Sequence, residues 1–139
     1  MTATHLPEYA EFFEHLRAGH MCFPRCGDCH RFHWYPKSAC PHCRSAALAW
    51  HPVAGPGEVF SFTVVHHAFD AQWKGHLPYI VALVTFAGAP GVRLITNIVG
   101  VAPEALSIGA AVQPVFPPAN ADEPRVLFRL ADASATEAR

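Results

Sequence analysis

Two short cysteine pairs constrain this chain more than any other feature. Cys26 and Cys29 form one CxxC motif, Cys40 and Cys43 form a second, and ten residues separate the two motifs. Two such pairs can place four thiolates at the corners of a tetrahedron around a single metal ion. A site of this kind leaves no coordination position for water. We therefore expect the metal to stabilise the fold and not to take part in catalysis.

The spacing predicts a zinc ribbon with two compact, rubredoxin-like turns. Zinc is the expected ion, although iron accepts the same four sulfur ligands. Pro36 and Pro41 supply turn residues between and within the pairs. Disulfide bonds are the weaker interpretation, because the N-terminus does not resemble a secretory signal.

The fifth cysteine and three histidines lie close to these pairs in the sequence. Cys22 sits in the apolar run 21–23, and we interpret it as a small buried side chain. The histidines inside the ribbon are His30, His33 and His42. Four thiolates already complete the site, so we expect these imidazoles on the surface or around the metal centre and not bound to the metal.

Composition narrows the classes of function. A chain of 139 residues makes one or two small domains, and a hydrophobic content of 51% suggests a partner surface or an apolar ligand site. The net charge is −1, and the ten Lys and Arg are distributed along the whole chain. This distribution argues against nucleic-acid binding, which usually requires a basic stripe. No apolar segment reaches membrane-spanning length, and we expect a cytoplasmic protein.

An amphipathic helix is predicted over residues 7–18, ended by Gly19. Its large apolar side chains repeat at helical spacing: Tyr9, Phe12, Phe13 and Leu16. Such a face must be covered. Packing on the core of its own chain is the first interpretation, and docking into a partner subunit is the second.

A β pattern begins after the turn residues 55–57. We predict a strand over 47–50 that leaves the metal site and a hairpin turn over 88–91. The five strands that follow the turn are predicted over 59–66, 79–86, 92–99, 112–116 and 126–130. A short helical turn over 103–106 falls between the third and fourth of these. This order of elements is typical of an OB-fold barrel.

The predicted fold is therefore mainly β, with an N-terminal helix, a rubredoxin-like zinc ribbon and a five-stranded OB-fold. The predicted divisions are the helix over 1–20, the ribbon over 21–54, the OB-fold over 55–131 and a disordered tail over 132–139. The tail is small and polar, with no periodicity.

The succession of these features resembles one known family across nearly the full chain. The resemblance rests on the order of features along the chain: the helix, then the ribbon, then the segments GPGEVFSFTVVH (55–66), LPYIVALV (77–84) and IGAAV (108–112). The family is the acyl-CoA-associated OB-fold family with a rubredoxin-like zinc ribbon, known as domain of unknown function thirty-five. Its members often carry glycine after each CxxC motif, where this chain has His30 and Arg44. We expect more strained turns at these two positions.

The resemblance implies an accessory role. Members of the family are similar to small subunits that pair with thiolase-superfamily enzymes, including condensing thiolases and lipid-transfer-like aldolases that cut steroid side chains, and sometimes with hydratases. By analogy, this chain would bind such an enzyme and help to bind or present its acyl-CoA substrate. We expect no catalysis by the isolated protein, and its residues supply no evident nucleophile with a base beside it.

Candidate ligand residues come from the loop after the first barrel strand and from the third strand. Lys74 or Arg93 could contact a phosphate of coenzyme A, while Trp73 or Tyr79 stacks on adenine. Asn97 could lie on the same face, but a structural hydrogen bond explains it equally well.

The same loop gathers titratable groups. His66, His67, His76 and Asp70 could form an acid–base set or a second metal site. An ordinary surface loop, with Phe69 packed on the barrel or on a partner, is the preferred interpretation.

Two further functions remain as alternatives. A zinc ribbon joined to an OB-fold also occurs in nucleic-acid-binding proteins, whose exposed aromatic rings stack on bases. A self-sufficient hydrolase or dehydratase that uses the 66–76 loop is the weakest hypothesis.

Overall fold

A computed structural model of the chain describes residues 7–68, 71–122 and 124–131, without the side chains of Gln72 and Trp73. It contains one α-helix and seven strands among these residues. The elements in chain order are a 3₁₀ turn at Pro7–Tyr9, α1 at Ala10–Arg17, β1 at Cys22–Cys26, β2 at Leu48–Pro52, β3 at Gly57–Val65, a 3₁₀ helix at Ala71–His76, β4 at Tyr79–Phe86, β5 at Arg93–Ile98, a 3₁₀ turn at Pro103–Ala105, β6 at Ala111–Val115 and β7 at Leu127–Leu130.

The described residues form two compact units. The first contains the chain up to Gly55 together with Phe86–Val92 and Phe116–Val126, and the second contains the remainder. The first unit holds the helix and the cysteine pairs. The second holds most of the strands that were predicted from the β pattern.

The helix of the first unit packs on its own chain. Phe12 and Leu16 are buried at 5% and 1% exposure, and the helix ends before Gly19, whose φ is +81°. The ring of Phe12 contacts the rings of Phe23, Trp34 and Trp50. The first interpretation of the apolar face is therefore correct: aromatic residues of the ribbon cover it.

A two-stranded antiparallel sheet supports the ribbon. β1 pairs with β2 from Cys22 opposite Pro52 to Cys26 opposite Leu48. β2 was predicted, but β1 was missed, because Pro24 interrupts its pattern and a proline argues against an interior strand. In a sheet of only two strands, β1 has one neighbouring strand, so the N–H that Pro24 lacks is not required for pairing with a second one. β1 ends at Cys26 and so fixes the start of the first CxxC motif.

The second unit is the predicted OB-fold, a closed barrel with the strand order β3-β4-β5-β7-β6. β4 and β5 form an antiparallel hairpin from Ile80 opposite Ile98 to Thr85 opposite Arg93. β5 and β7 run parallel, with Ile98 opposite Phe128. This parallel pairing closes the barrel.

Alternating side chains fill the barrel. Along β4, every second residue is buried, because successive side chains of a strand point to opposite faces. The buried residues of the second unit include Val59, Ile80, Ala82, Val84, Leu94, Ile98, Leu106, Val112 and Phe128. The opposite face leaves large apolar side chains such as Phe60 and Ile95 exposed, and Ile108 is exposed in the turn before β6.

Strand ends differ from the prediction by one or two residues, and β4 has the predicted bounds. The tail predicted over 132–139 lies outside the described residues. Within the described part of the chain, no helix is both long enough and apolar enough to cross a bilayer.

Candidate metal centre and ligand residues

The four cysteines of the two CxxC motifs converge. Their sulfur atoms all lie within 4.8 Å of one another. Between the two motifs, the Sγ atoms of Cys26 and Cys43 are 3.5 Å apart, and those of Cys29 and Cys40 are 3.6 Å apart. These distances suit four ligands around one ion, as the spacing predicted.

Backbone hydrogen bonds shape both cysteine turns in the same way. The N–H of His30 donates to the carbonyl of Cys26 at 2.9 Å, and the N–H of Arg44 donates to the carbonyl of Cys40 at 2.8 Å. Further N–H groups point at sulfur: Cys29 N–H lies 3.4 Å from Cys26 Sγ. Donors of this kind stabilise a thiolate, and so they favour metal binding.

Residues with left-handed backbone follow each motif. His30 has φ of +65° and Arg44 has φ of +69°, and these are the only non-glycine residues with positive φ among those described. Residues that carry a Cβ atom rarely adopt this backbone conformation. The strain expected from the missing glycines is therefore present in the backbone.

The pKa values of the four thiols and the repulsion between their thiolates favour binding of a cation. The backbone N–H groups of Cys29 and Asp28 lower the pKa of Cys26 to about 6. The backbone N–H of Ser45 also favours the thiolate of Cys43, yet the neighbouring thiols raise the pKa of Cys43 to about 12. Four anions at these distances repel one another, and a divalent ion removes that repulsion. The donor set therefore fits a structural zinc ion held by all four cysteines.

The nearby candidates that were not expected to bind metal stay apart from this set. Among the described residues, the only grouping of potential metal ligands is the four cysteines. Cys22 is buried at 3% exposure, and burial raises its pKa. His42 instead contacts Arg31 and the carbonyl of Phe32.

Comparison with known proteins assigns the chain to a family. The model of the ChsH2 rubredoxin-like zinc ribbon domain matches residues 13–49, and that of the ChsH2 C-terminal OB-fold domain matches residues 50–117. A DUF35 domain-containing scaffold protein of Methanothermobacter thermautotrophicus is 30% identical over 93 residues, which cover 66% of this chain and 68% of that protein. The chain belongs to the ChsH2/DUF35 family. The family resemblance drawn from the sequence is thereby confirmed.

Solved structures of DUF35 proteins share the fold. A chain of the structure described as "Ltp2-ChsH2(DUF35) aldolase" superposes with a TM-score of 0.81 at 32% identity, covering 94% of this chain and 99% of that one. A DUF35 protein from Sulfolobus solfataricus gives a TM-score of 0.64 at 19% identity, covering 89% and 85%. The second similarity concerns the fold alone.

One longer relative matches this chain over only part of its own length. The probable enoyl-CoA hydratase alpha subunit of Thermomonospora curvata is 37% identical over 103 residues, or 74% of this chain. The match covers 31% of that protein, so the chain spans about a third of its length.

The predicted ligand residues of this DUF35 chain all belong to the second unit. Lys74 is exposed in the 3₁₀ helix Ala71–His76, and Tyr79 begins β4. Arg93 begins β5, and its guanidinium carbon lies 4.2 Å from the ring centroid of Phe60. The side chain of Trp73 lies outside the described residues.

These residues do not meet at one point. Arg93 lies opposite Thr85, six residues along β4 from Tyr79. At the usual rise of a strand, that separation is roughly 20 Å. Tyr79 follows the helix of Lys74 closely, whereas Arg93 lies at the other end of the hairpin. A phosphate bound by Arg93 would thus lie far from an adenine stacked on Tyr79.

The structure describes the histidine loop only in part. His66, His67 and His76 are exposed, and the described residues of the loop form no potential metal site. Asp70 and Phe69 lie outside the described residues. The amide nitrogen of Asn97 donates to the carbonyl of Ile80 at 2.9 Å, so the structural hydrogen bond explains this residue.

Sequence reasoning missed a pocket on the ribbon. Its volume is about 740 Å³, and Arg25, Arg31 and Lys37 line it together with His33. The three cations are spaced six residues apart, so no run of basic residues marks them in the sequence. The sequence indicated this pocket only through the charge of the ribbon segment: of the charged residues over 21–54, four are cationic and Asp28 alone is acidic.

Proposed function

We propose that this chain is a non-catalytic subunit that binds a thiolase-superfamily enzyme, either a thiolase or a lipid-transfer-like aldolase. In that complex it helps to bind or present an acyl-CoA substrate, and zinc maintains the ribbon. The observation that carries the proposal is the similarity, over 94% of this chain, to a chain of an aldolase assembly whose description names both Ltp2 and ChsH2.

Exposed apolar side chains of the second unit support partner binding. Phe60, Ile95 and Ile108 are 45%, 54% and 68% exposed. Ile95 lies opposite the half-buried Leu83 on the outer face of the β4–β5 hairpin. Burial of such side chains against another protein is favourable by about 25 cal/mol per Å² of apolar surface. A partner enzyme would provide that cover.

Catalysis is assigned to the partner. The four cysteines form a closed set, and a closed metal site offers no position for a substrate. A hydratase is the second candidate partner, because one relative is named as a hydratase subunit and matches this chain over part of its length. Degradation of steroid side chains is the process that the family resemblance suggests.

Substrate contact is proposed at Lys74 and Tyr79, near one end of the β4–β5 hairpin. Lys74 offers an exposed ammonium group for a phosphate, and Tyr79 offers a ring for adenine. Arg93, at the other end of the hairpin, is a separate candidate for phosphate contact. Lys74→Ala should weaken binding of acyl-CoA by the assembled complex, and Arg93→Ala measures the second position independently. Unchanged affinity in both variants would remove this part of the proposal.

The deciding experiment is a pull-down of the tagged protein from its native lysate, with mass-spectrometric identification of retained proteins. Recovery of a thiolase-like protein in near-equal amount is the expected result. Recovery of nucleic acid alone would instead favour the alternative of a nucleic-acid-binding protein. That alternative also predicts salt-sensitive binding of a single-stranded oligonucleotide by the isolated chain.

A further inference from the structure

We propose that the basic pocket on the zinc ribbon, lined by Arg25, Arg31, Lys37, His33 and Trp34, binds a small ligand that carries a diphosphate group. All residues that line the pocket belong to the first unit. Its lining residues do not include Lys74, Tyr79 or Arg93, the residues proposed to contact acyl-CoA.

The three permanent cations of the pocket have no carboxylate partner among the described residues. Within the described part of the chain, the ion pair found is that of Arg17 with Glu14, and none involves Arg25, Arg31 or Lys37. None of the described residues that line the pocket is acidic. Cations that share a concave surface repel one another unless an anion lies between them. The pocket is therefore suited to a ligand with several negative charges.

Hydrogen bonds hold the two arginines in place. Arg25 Nε donates to the carbonyl of His30 at 3.2 Å, which leaves its terminal N–H groups directed elsewhere. Arg31 Nη1 lies 3.3 Å from His42 Nδ1. A guanidinium group can only donate, so Nδ1 of His42 accepts. Nε2 of His42 then donates to the carbonyl of Phe32 at 3.3 Å.

Buried ring nitrogens of two residues that line the pocket lack a partner among the described protein groups. His33 is only 5% exposed, and neither nitrogen of its ring is hydrogen-bonded to a described protein group. Trp34 Nε1 is also buried without such a partner, and an indole nitrogen can only donate. Buried polar groups of native proteins normally have partners. Burial lowers the pKa of His33, so its neutral ring carries one N–H. A ligand rich in acceptor oxygens would supply a partner for that N–H and for Trp34 Nε1.

The size and lining of the pocket favour a small organic phosphate over a polymer. A volume of about 740 Å³ lies within the usual range for small-molecule sites. Arg guanidinium groups match the oxygen geometry of phosphates. The Arg25 guanidinium also lies 5.8 Å from the ring centroid of Phe32, so a planar base could extend this stack. The chain as a whole has a net charge of −1, which disfavours a long polyanion.

Calorimetric titration of the zinc-loaded full chain with ADP and with inorganic pyrophosphate tests the site. Lys37→Gln and Arg31→Gln remove one exposed cation each, and both should raise the Kd by about tenfold, as expected for loss of one charge-assisted hydrogen bond. Arg44→Gln is the matched control, because Arg44 is an exposed ribbon cation that does not line the pocket. It should change the Kd less than about twofold.

The two probes distinguish the source of the diphosphate. Equal affinity for both would identify the bare diphosphate as sufficient, and tighter binding of ADP would show that the base contributes; either result supports the site. Absence of binding would overturn the proposal, as would equal effects of Lys37→Gln and Arg44→Gln. Tighter binding of a single-stranded oligonucleotide that competes with ADP would also overturn it. Lys74→Gln should leave ADP binding unchanged, which separates this test from that of the acyl-CoA proposal.

Discussion

The ring centroids of Phe12 in α1 and Trp34 in the ribbon lie 4.6 Å apart. Phe23 and Trp50 complete an aromatic cluster around Phe12, with ring centroids 6.3 Å and 6.0 Å from it. A ribbon of this size has little hydrophobic core of its own, and the helix supplies part of the missing apolar surface. The helix and the metal centre therefore stabilise the same unit.

Phe12→Ala should destabilise the first unit by about 3–5 kcal/mol, because it removes a buried ring and leaves a cavity in the aromatic cluster. Urea unfolding monitored by tryptophan fluorescence measures the change, since Trp34 and Trp50 both lie in the cluster. Glu11→Ala is the control on the exposed face of the same helix and should cost less than about 0.5 kcal/mol. Equal effects of the two substitutions would contradict the packing of Phe12 in the aromatic cluster.

Loss of zinc should unfold the ribbon. Cys40→Ser removes one of the four converging ligands and should abolish stoichiometric zinc, with a loss of several kcal/mol of stability. Metal analysis by mass spectrometry and thermal melting with and without a chelator provide the measurement. Cys22→Ala is the matched control, because its sulfur does not belong to the set. A fully zinc-loaded Cys40→Ser protein would refute the four-cysteine assignment.

Arg44→Gly should be more stable than Arg44→Ala by about 1 kcal/mol. Both variants lose the same side chain, but only glycine adopts the φ of +69° without a steric penalty. The comparison thus separates the effect of backbone conformation on stability from the effect of losing the Arg44 charge. Urea unfolding of the zinc-loaded variants gives the difference, and a more stable alanine variant would show that the turn is not strained.

Cys22 should resist alkylation in the native protein near neutral pH. Burial raises its pKa, so the thiol stays protonated at a pH where an exposed cysteine is partly ionised, and the reactive species is the thiolate. Iodoacetamide labelling followed by peptide mass spectrometry checks this, with guanidinium-unfolded protein as the control. Labelling should speed up as the pH rises towards the raised pKa. Equal rates in native and unfolded protein would contradict the buried position of Cys22.

Ile95→Asp should weaken association with the partner enzyme while leaving the barrel folded. Ile95 is 54% exposed, so a carboxylate there meets water in the free subunit but must be desolvated in an apolar interface. An increase of at least about tenfold in the Kd is expected when the purified subunit is titrated with the purified partner enzyme. Thr63→Asp, on an exposed position of β3, introduces the same charge as a control. Indistinguishable effects of the two variants would place the interface elsewhere.

Local patterns predicted much of the fold. The bounds of β4 followed from a continuous apolar run between turn residues, and the four metal ligands followed from their spacing. The left-handed turns at His30 and Arg44 could be anticipated from the family resemblance, because the missing glycines marked the positions. Each of these features depends on residues that are close together in the sequence.

Features that depend on distant residues could not be predicted. β1 becomes a strand only because β2 pairs with it across the whole ribbon, and its Pro24 hid the pattern. The basic pocket likewise arises when the ribbon turns bring Arg25, Arg31 and Lys37 to one surface.

The parallel pairing of Ile98 with Phe128 also sets an order of events during protein synthesis. β5 leaves the ribosome about thirty residues before β7, a delay of a few seconds at roughly 5–20 residues per second. During that delay the edge of β5 has no β7 to pair with, and an unpaired edge can join a strand of another nascent chain. The cysteine pairs lie upstream of every barrel strand, so the ribbon can acquire its metal while the barrel still waits for its final strand.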